Sequence, residues 1–206
     1  MNIWRDRLDR WLSPLAVASP LSPNAISVIA LALILSASLC LALAGSRPIL
    51  FLAALPLIAA GGLLDAFDGI VARAQKRSSR LGDFLDHCFD RIADLSLVIG
   101  WTLGSGVRKE IALGTLMLVS LHGYLGTQLE ASFGRRDYEG TGRGEFVLVL
   151  VILPVLGWIL SRLELLGTPY WHLTIPEWVT LLLAAGAMQG FVSRLRSGVS
   201  ISRESD

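Results

Sequence analysis

The sequence predicts an all-α membrane protein with six transmembrane helices, preceded by an amphipathic juxtamembrane helix at the membrane interface. Three observations predict this class. The 206 residues have a mean hydropathy of +0.59, and 53% are hydrophobic while only 17% are charged. Soluble domains carry about 25% charged residues, and a soluble core of this size could not hide so much apolar surface. The few charges are also grouped, which leaves long uncharged stretches between them.

The net charge and the cysteines exclude further classes. A net charge of +1 lacks the basic footprint of a nucleic-acid-binding protein, so we expect no nucleic-acid partner. Cys40 and Cys88 lie in apolar or helical contexts without metal-ligand spacing, and we expect both to be buried free thiols.

The uncharged stretches predict where the spans lie. Residues 25–44 form a continuous apolar run that would cover the hydrocarbon core of about 30 Å at 1.5 Å per residue. This run is longer than the about 7–15 apolar residues of a signal peptide, which makes cleavage the weaker interpretation. The third segment contains charges but has the length of a span. We predict one domain over 1–206, with an interfacial helix at 1–20 and spans at about 24–44, 48–67, 81–103, 110–129, 146–161 and 177–193.

Local signals mark the ends of these elements. Before the first span, apolar residues recur at helical spacing opposite charged ones, which predicts an interfacial helix, with an ordinary helix packed on the bundle as the alternative. The run Ser22-Pro23-Asn24 ends it, and we expect Asn24 to cap the first span. Thr174 and Glu177 form a capping-box pattern before the sixth span. Four tryptophans near span ends predict an aromatic belt: Trp101, Trp158, Trp171 and Trp178.

The distribution of lysine and arginine predicts the orientation. Of the 18 Lys and Arg residues, 13 fall on the side that holds both termini, four fall on the other side, and Arg91 lies inside the third span. Positive residues concentrate in cytoplasmic loops. We therefore predict a multi-pass protein of the cytoplasmic (inner) membrane, with both termini in the cytoplasm.

Six aspartates between residues 61 and 100 are the main chemical feature. They are Asp65, Asp68, Asp83, Asp86, Asp90 and Asp94. The first two share a helix face, and the last four form one narrow stripe on the next helix. A carboxylate in a span costs about 2.5–3.5 kcal/mol, so the group needs compensating charge. Nearby arginines and lysines could supply some of it, and a metal ion would do so more effectively. Ligands that are all oxygen favour Mg²⁺ or Mn²⁺ over Zn²⁺.

The residues between these aspartates indicate a phosphate ligand. Gly69 and Gly82 leave space for a ligand against the backbone. Arg73, one helical turn past Gly69, is placed to pair with phosphate oxygens. The spacing is Asp65-x2-Asp68-Gly69-x2-Ala72-Arg73-x8-Gly82-x3-Asp86-x3-Asp90.

This stretch resembles the signature of the class I CDP-alcohol phosphatidyltransferases, with all eight defined positions present. The signature covers about an eighth of the chain, and the six spans, the juxtamembrane helix and the Ser22-Pro23-Asn24 entry are also similar to the family. The resemblance implies an enzyme of phospholipid biosynthesis. It would transfer a phosphatidyl-type group from a CDP-alcohol, such as CDP-diacylglycerol, to a small polar hydroxyl acceptor, and release CMP at the cytoplasmic side. We also expect a homodimer.

The resemblance implies a role for each matching residue. Two Mg²⁺ or Mn²⁺ ions would be held by Asp65, Asp68, Asp86 and Asp90. Asp90 would also be the catalytic base that takes the proton of the acceptor hydroxyl. The CDP-alcohol would be bound by Ser22, Pro23, Asn24, Ala25, Gly69, Arg73, Ser79 and Gly82. Asp83 and Asp94 lie outside the signature, and we expect them to be structural and to pair with Arg80 or Arg91.

The acceptor is less clearly predicted. A cationic patch that could hold an acceptor phosphate consists of Arg135, Arg136, Arg143 and Arg194, although positive-inside topology alone also accounts for it. Inositol-phosphate-using relatives carry a Ser-Tyr-x-Lys-x-Arg-like run, whereas residues 123–128 here read Gly-Tyr-Leu-Gly-Thr-Gln. The loss of both cations argues against inositol phosphate. We expect His87, His122 and His172 to be structural.

Two other functions compete with this interpretation. A divalent-cation transporter or channel would account for the aspartates, but not for Gly69, Arg73 and Gly82 at fixed offsets. An aspartate-rich prenyltransferase would repeat its motif in a second segment, and the sequence contains no second motif.

Overall fold

The computed structural model describes residues 14–134 and 143–205, with side chains described over 14–134 and 151–203. These ranges contain six long helices and one hairpin. In chain order they are α1 (Pro23–Leu43), α2 (Ile49–Ala74), α3 (Arg80–Gly104), α4 (Lys109–Phe133), α5 (Arg143–Arg162), β1 (Pro169–Tyr170), β2 (Leu173–Thr174) and α6 (Ile175–Ser205). The all-α class is confirmed. Most of the predicted interfacial helix lies outside the described residues, and residues 14–18 of it are helical.

The helices have the character of a membrane protein, as predicted. Within the described residues, three segments are long and apolar enough to cross a membrane: Pro23–Leu43, Ile49–Ala74 and Ile175–Arg203. Only 22–39% of the residues in their apolar stretches are buried inside the bundle. Each of the six predicted spans coincides with a helix, and the number of spans that cross the bilayer stays a prediction.

Two helices run well past their predicted spans. α2 continues to Ala74 and α6 to Ser205, because backbone hydrogen bonding does not stop where side chains become charged. Uncharged windows therefore predict the apolar part of a helix rather than its ends.

The cap of α1 differs from the prediction. Ser22 caps the helix, with its side-chain oxygen accepting a hydrogen bond from the Ala25 N–H at 3.3 Å, and Pro23 takes the first helical position. Asn24 therefore lies inside the first turn. The capping box of α6 is confirmed, since the Thr174 N–H donates to Glu177 Oε2 at 2.8 Å.

Small residues bring α1 and α3 together. A Cβ on Gly100 would lie 3.0 Å from Ser38 Cα, and one on Gly104 would lie 2.9 Å from the carbonyl carbon of Leu41. Any larger residue would separate the helices, as in the small-xxx-small contacts of membrane bundles. α1 also packs along α2, so the first three helices form one unit.

The core joins this unit to the second half of the bundle. It is built around Phe51, Trp101 and neighbouring aliphatic residues, to which α5 contributes Leu153 and α6 contributes Leu183. Trp101 is fully buried, and its Nε1–H donates to Thr180 Oγ1 at 3.0 Å. Its place in an aromatic belt was wrongly predicted, because a hydroxyl partner on α6 lets the indole enter the core.

One further prediction changes in detail, and one element was not predicted. Cys40 and Cys88 are free, but each is only partly buried. The β1–β2 hairpin was not predicted, because its turn residues Trp171 and His172 adopt φ of 53° and 67° without the usual asparagine or glycine. The hairpin is tied to α6, where Trp178 Nε1–H donates to the Tyr170 carbonyl at 3.1 Å.

Candidate active site

Three carboxylates converge between α2 and α3. Asp65 comes from α2, and Asp86 and Asp90 lie one turn apart on α3. Each offers an oxygen that lies within 4.8 Å of those of the other two. The i, i+4 spacing on α3 produces this convergence, because it places both side chains on the face toward α2. Three carboxylates at this distance repel one another unless a cation lies among them.

Asp68 is engaged differently. It is buried, and its Oδ2 accepts a hydrogen bond from Ser27 Oγ on α1. Among the described residues, the converging group contains three of the four predicted metal ligands and not Asp68. The sequence did not single out Ser27, since nothing local distinguishes it from Ser36, which bonds the Ala32 carbonyl within its own helix.

A cavity of about 330 Å³ adjoins the carboxylates. Its polar lining includes Asp65, Asp90, Asp94 and Ser27, and the rest is mostly apolar side chains of α1, α2 and α3. Such a lining suits an amphiphile whose charged part lies against the carboxylates while its apolar part follows the helices.

The entry of α1 and the start of α3 meet at Gly82. Ser79 caps α3, with its Oγ accepting from the Gly82 N–H at 3.1 Å. A Cβ on Gly82 would lie 3.3 Å from Ser79 Oγ and 3.6 Å from Asn24 Oδ1. Two predicted binding segments that are distant in sequence are therefore neighbours, with the positive end of the α3 dipole beside them. Ser22, Pro23 and Ala25 belong to the same first turn of α1.

On α2, Arg73 lies over Gly69. A Cβ at position 69 would be 3.4 Å from Arg73 Nη1. The guanidinium thus extends back along the helix toward the position next to Asp68, as the sequence spacing predicted.

In the second half of the bundle, two guanidinium groups fill notches in α4. Arg194 lies where a side chain at Gly126 would be, with Nη1 at 2.6 Å from that Cβ position, and it donates to the His122 carbonyl at 2.5 Å. Arg91 fills the space at Gly123 in the same way. Arg91 Nη2 also lies 3.3 Å from Asp94 Oδ2, which confirms the predicted pair. Arg135, Arg136 and the side chain of Arg143 lie outside the described residues.

Two of the three histidines, His87 and His122, make helix–helix contacts, and His172 lies in the hairpin turn. His87 Nε2 lies 3.7 Å from Glu130 Oε2, which links α3 to α4. The His122 ring lies against Gly190 of α6, and its Nδ1 is buried without a hydrogen-bond partner among the described residues.

Comparison with known protein sequences extends the resemblance over most of the chain. Residues 20–185 match the CDP-alcohol phosphatidyltransferase family. The archaetidylinositol phosphate synthase of Pyrococcus horikoshii is 35% identical over 97 residues, which are 47% of this chain and 52% of that protein. The bifunctional IPC transferase and DIPP synthase of Rubrobacter xylanophilus is 34% identical over 188 residues, which are 90% of this chain and 38% of that protein. The chain thus spans about half, or less, of the length of these relatives.

Solved structures share the fold. The phosphatidylinositol phosphate synthase (PgsA1) of Mycobacterium tuberculosis with CDP-DAG bound superposes with a TM-score of 0.66 at 21% identity, covering 94% of this chain and 92% of that one. The same protein in complex with manganese and citrate also gives 0.66, at 22% identity, covering 94% and 88%. The match over residues 20–185, which contains the aspartate signature, shows that the chain belongs to the CDP-alcohol phosphatidyltransferase family.

Proposed function

We propose that the chain transfers a phospho-lipid alcohol group from a CDP-alcohol, such as CDP-diacylglycerol, to a hydroxyl acceptor and releases CMP. The convergence of Asp65, Asp86 and Asp90 carries the proposal, because it brings three of the four carboxylates of the family signature within reach of one ligand. Membership of the family supports the reaction type, and the adjoining cavity has the lining that a lipid-linked nucleotide needs.

The carboxylates fit Mg²⁺ or Mn²⁺. They supply only oxygen donors, and their spacing within 4.8 Å suits hard cations. We assign two ions to Asp65, Asp86 and Asp90, with Asp68 completing one of the sites. When bound, such ions neutralise the pyrophosphate and stabilise CMP as the leaving group.

The protein residues act on the donor and the acceptor in turn. Asn24, Ser79 and Arg73 bind the CDP moiety, while the apolar wall of the cavity receives the lipid. Asp90 takes the proton of the acceptor hydroxyl. The acceptor oxygen then forms a bond to the phosphorus that bears the lipid alcohol, and the bond from that phosphorus to the bridging oxygen of CMP breaks. The product is a phosphodiester.

We further propose that the acceptor carries an anionic group held by Arg194. The guanidinium occupies the space of a side chain at position 126, so a cation is present there although α4 itself carries none at positions 126 and 128. The name of the Pyrococcus horikoshii relative favours inositol phosphate, and glycerol phosphate is the main competitor. Arg135, Arg136 and Arg143 stay predicted contributors.

The membrane setting completes the proposal. We propose six spans, which the uncharged stretches support, and an inner-membrane location with cytoplasmic termini, which the distribution of Lys and Arg supports. The carboxylate end of the bundle would then face the cytoplasm, where a polar acceptor is available. The proposed unit is a homodimer, which light scattering of the detergent-solubilised protein would detect.

One assay tests the reaction. The purified protein is incubated with Mn²⁺ and CDP-diacylglycerol, and CMP is measured after addition of inositol phosphate, glycerol phosphate, serine or no acceptor. We expect CMP release with a phosphorylated acceptor and none without an acceptor. If none of the acceptors in the panel causes CMP release, and the protein instead carries Mn²⁺ into vesicles, the transporter function would be favoured over the transferase.

A further inference from the structure

Two arginines meet at the end of the bundle away from the carboxylates. Arg47 lies in the connection between α1 and α2, and Arg162 is the last residue of α5. With Pro48, Ile49 and Trp158 they line a shallow cavity of about 550 Å³. Asp65 lies 16 residues along α2 from Ile49, or about 24 Å, so this cavity is separate from the candidate active site.

These two cations differ from Arg108, which is predicted on the same side of the membrane. Arg108 is paired, with Nε 2.6 Å from Oε1 of the buried Glu177. Arg47 and Arg162 are exposed, and neither forms an ion pair with a carboxylate among the described side chains. Two guanidinium groups in one cavity without a counter-ion create a local surplus of positive charge, which an anion would offset.

The rest of the cavity is apolar. Trp158 is half-buried and packs against the hydrophobic core, and Pro48 and Ile49 lie at the start of an apolar helix. All of these residues lie at helix ends, where a transmembrane bundle reaches the headgroup region and where tryptophan is enriched. The cavity therefore combines two phosphate-binding groups with an apolar floor at the depth of a lipid headgroup.

We propose that this cavity is a binding site for an anionic phospholipid, with Arg47 and Arg162 on the phosphodiester and Trp158 against the glycerol and upper acyl chain. A lipid fits this cavity better than free phosphate does. The lining other than the two guanidinium groups is apolar, and only a lipid has an apolar part that can contact it. The site is independent of the proposed catalytic activity.

Native mass spectrometry of the full chain in detergent tests the proposal. The protein is titrated with phosphatidylglycerol, with phosphatidylcholine and with glycerol phosphate. The double variant Arg47→Gln/Arg162→Gln is compared with Lys109→Gln, which removes a positive charge from the same predicted side but outside the cavity. We expect phosphatidylglycerol to be retained over phosphatidylcholine, with its affinity falling about fivefold per arginine removed and staying unchanged in Lys109→Gln.

Three results would overturn the proposal. The first is that the double variant retains phosphatidylglycerol as well as the wild type does. The second is that Lys109→Gln loses as much affinity for phosphatidylglycerol as the double variant. The third is that glycerol phosphate binds as tightly as the lipid. Because both arginines are exposed, the double variant should melt at the wild-type temperature without lipid. Added phosphatidylglycerol should then stabilise the wild type more than the variant.

Discussion

The two halves of the bundle place their charged groups in different ways. In the α1–α3 half, short aspartate side chains are held by α2 and α3, and α3 is in close contact with α1 at Gly100 and Gly104. In the α4–α6 half, the long side chain of Arg194 on α6 reaches across to a notch on α4, and Arg91 of α3 fills a second notch there. A short side chain on a close-packed helix has little freedom, whereas an arginine can be redirected by one substitution beside it. The first arrangement suits chemistry common to a family, and the second suits recognition of a particular acceptor.

The largest expected effect comes from the α1–α3 half. Asp90→Asn removes the proposed base and a metal ligand, and CMP release should fall by about 10²–10⁴-fold. Asp83→Asn is the matched control, because it changes an exposed aspartate on the same helix outside the converging group. Activity of Asp90→Asn above one-tenth of the wild type would contradict the assignment.

Close packing in this half predicts a loss of stability. Gly104→Leu would push the added side chain into the backbone of α1 at Leu41, which we expect to cost about 1–3 kcal/mol or more. Gly114→Leu is the control, because no atom of another helix lies within 4 Å of its Cβ position. Thermal unfolding in detergent, followed by circular dichroism, measures both. If Gly104→Leu and Gly114→Leu melted at the same temperature, the contact between α1 and α3 would be looser than described.

In the α4–α6 half, the effect should appear in acceptor binding. Arg194→Gln is expected to raise the KM for a phosphorylated acceptor about tenfold, with a smaller change in kcat and none in the KM for the CDP-lipid. Arg196→Gln, two residues along the same helix and exposed, should behave as the wild type. An equal rise in both KM values would assign Arg194 a general structural role.

The smallest expected effect concerns the contact between α1 and α2. Ser27→Ala removes the hydrogen bond to Asp68 and should lower kcat/KM by about fivefold, since such a bond contributes about 1 kcal/mol. Ser36→Ala removes only a bond within α1 and should have no effect. If Ser27 acts by orienting a metal ligand, the difference in kcat/KM between Ser27→Ala and the wild type should become smaller at saturating Mn²⁺. A difference that is independent of Mn²⁺ would separate Ser27 from the metal site.

The sequence predicted the features that depend on one helix at a time. Helical periodicity placed Asp86 and Asp90 on one face, and the capping box of α6 needed only its own residues. Features that depend on a distant partner were missed. Trp101 enters the core because Thr180 accepts its N–H, and Ser27 matters because Asp68 lies opposite it.

The sequence also could not decide which of two chemically similar neighbouring residues takes a given role. Ser22 and Asn24 are both good capping residues, and which of them caps α1 depends on the position of Pro23 in the first turn. The hairpin turn at Trp171 and His172 has positive φ without the residues that usually adopt it, so no local pattern indicated it.

The buried Trp101–Thr180 hydrogen bond also has a mechanical consequence. It joins α3 to α6 at a point from which Arg194 lies 14 residues further along α6, about 21 Å away. A tilt of α6 by about 5° around Thr180 would displace that part of the helix by about 2 Å, while hardly disturbing the core around the pivot. The hydrogen bond is therefore a pivot for α6, and Arg194 of the proposed acceptor site lies far from that pivot on the same helix. A small angular change can alter the fit to the acceptor there without moving the aspartates on α2 and α3.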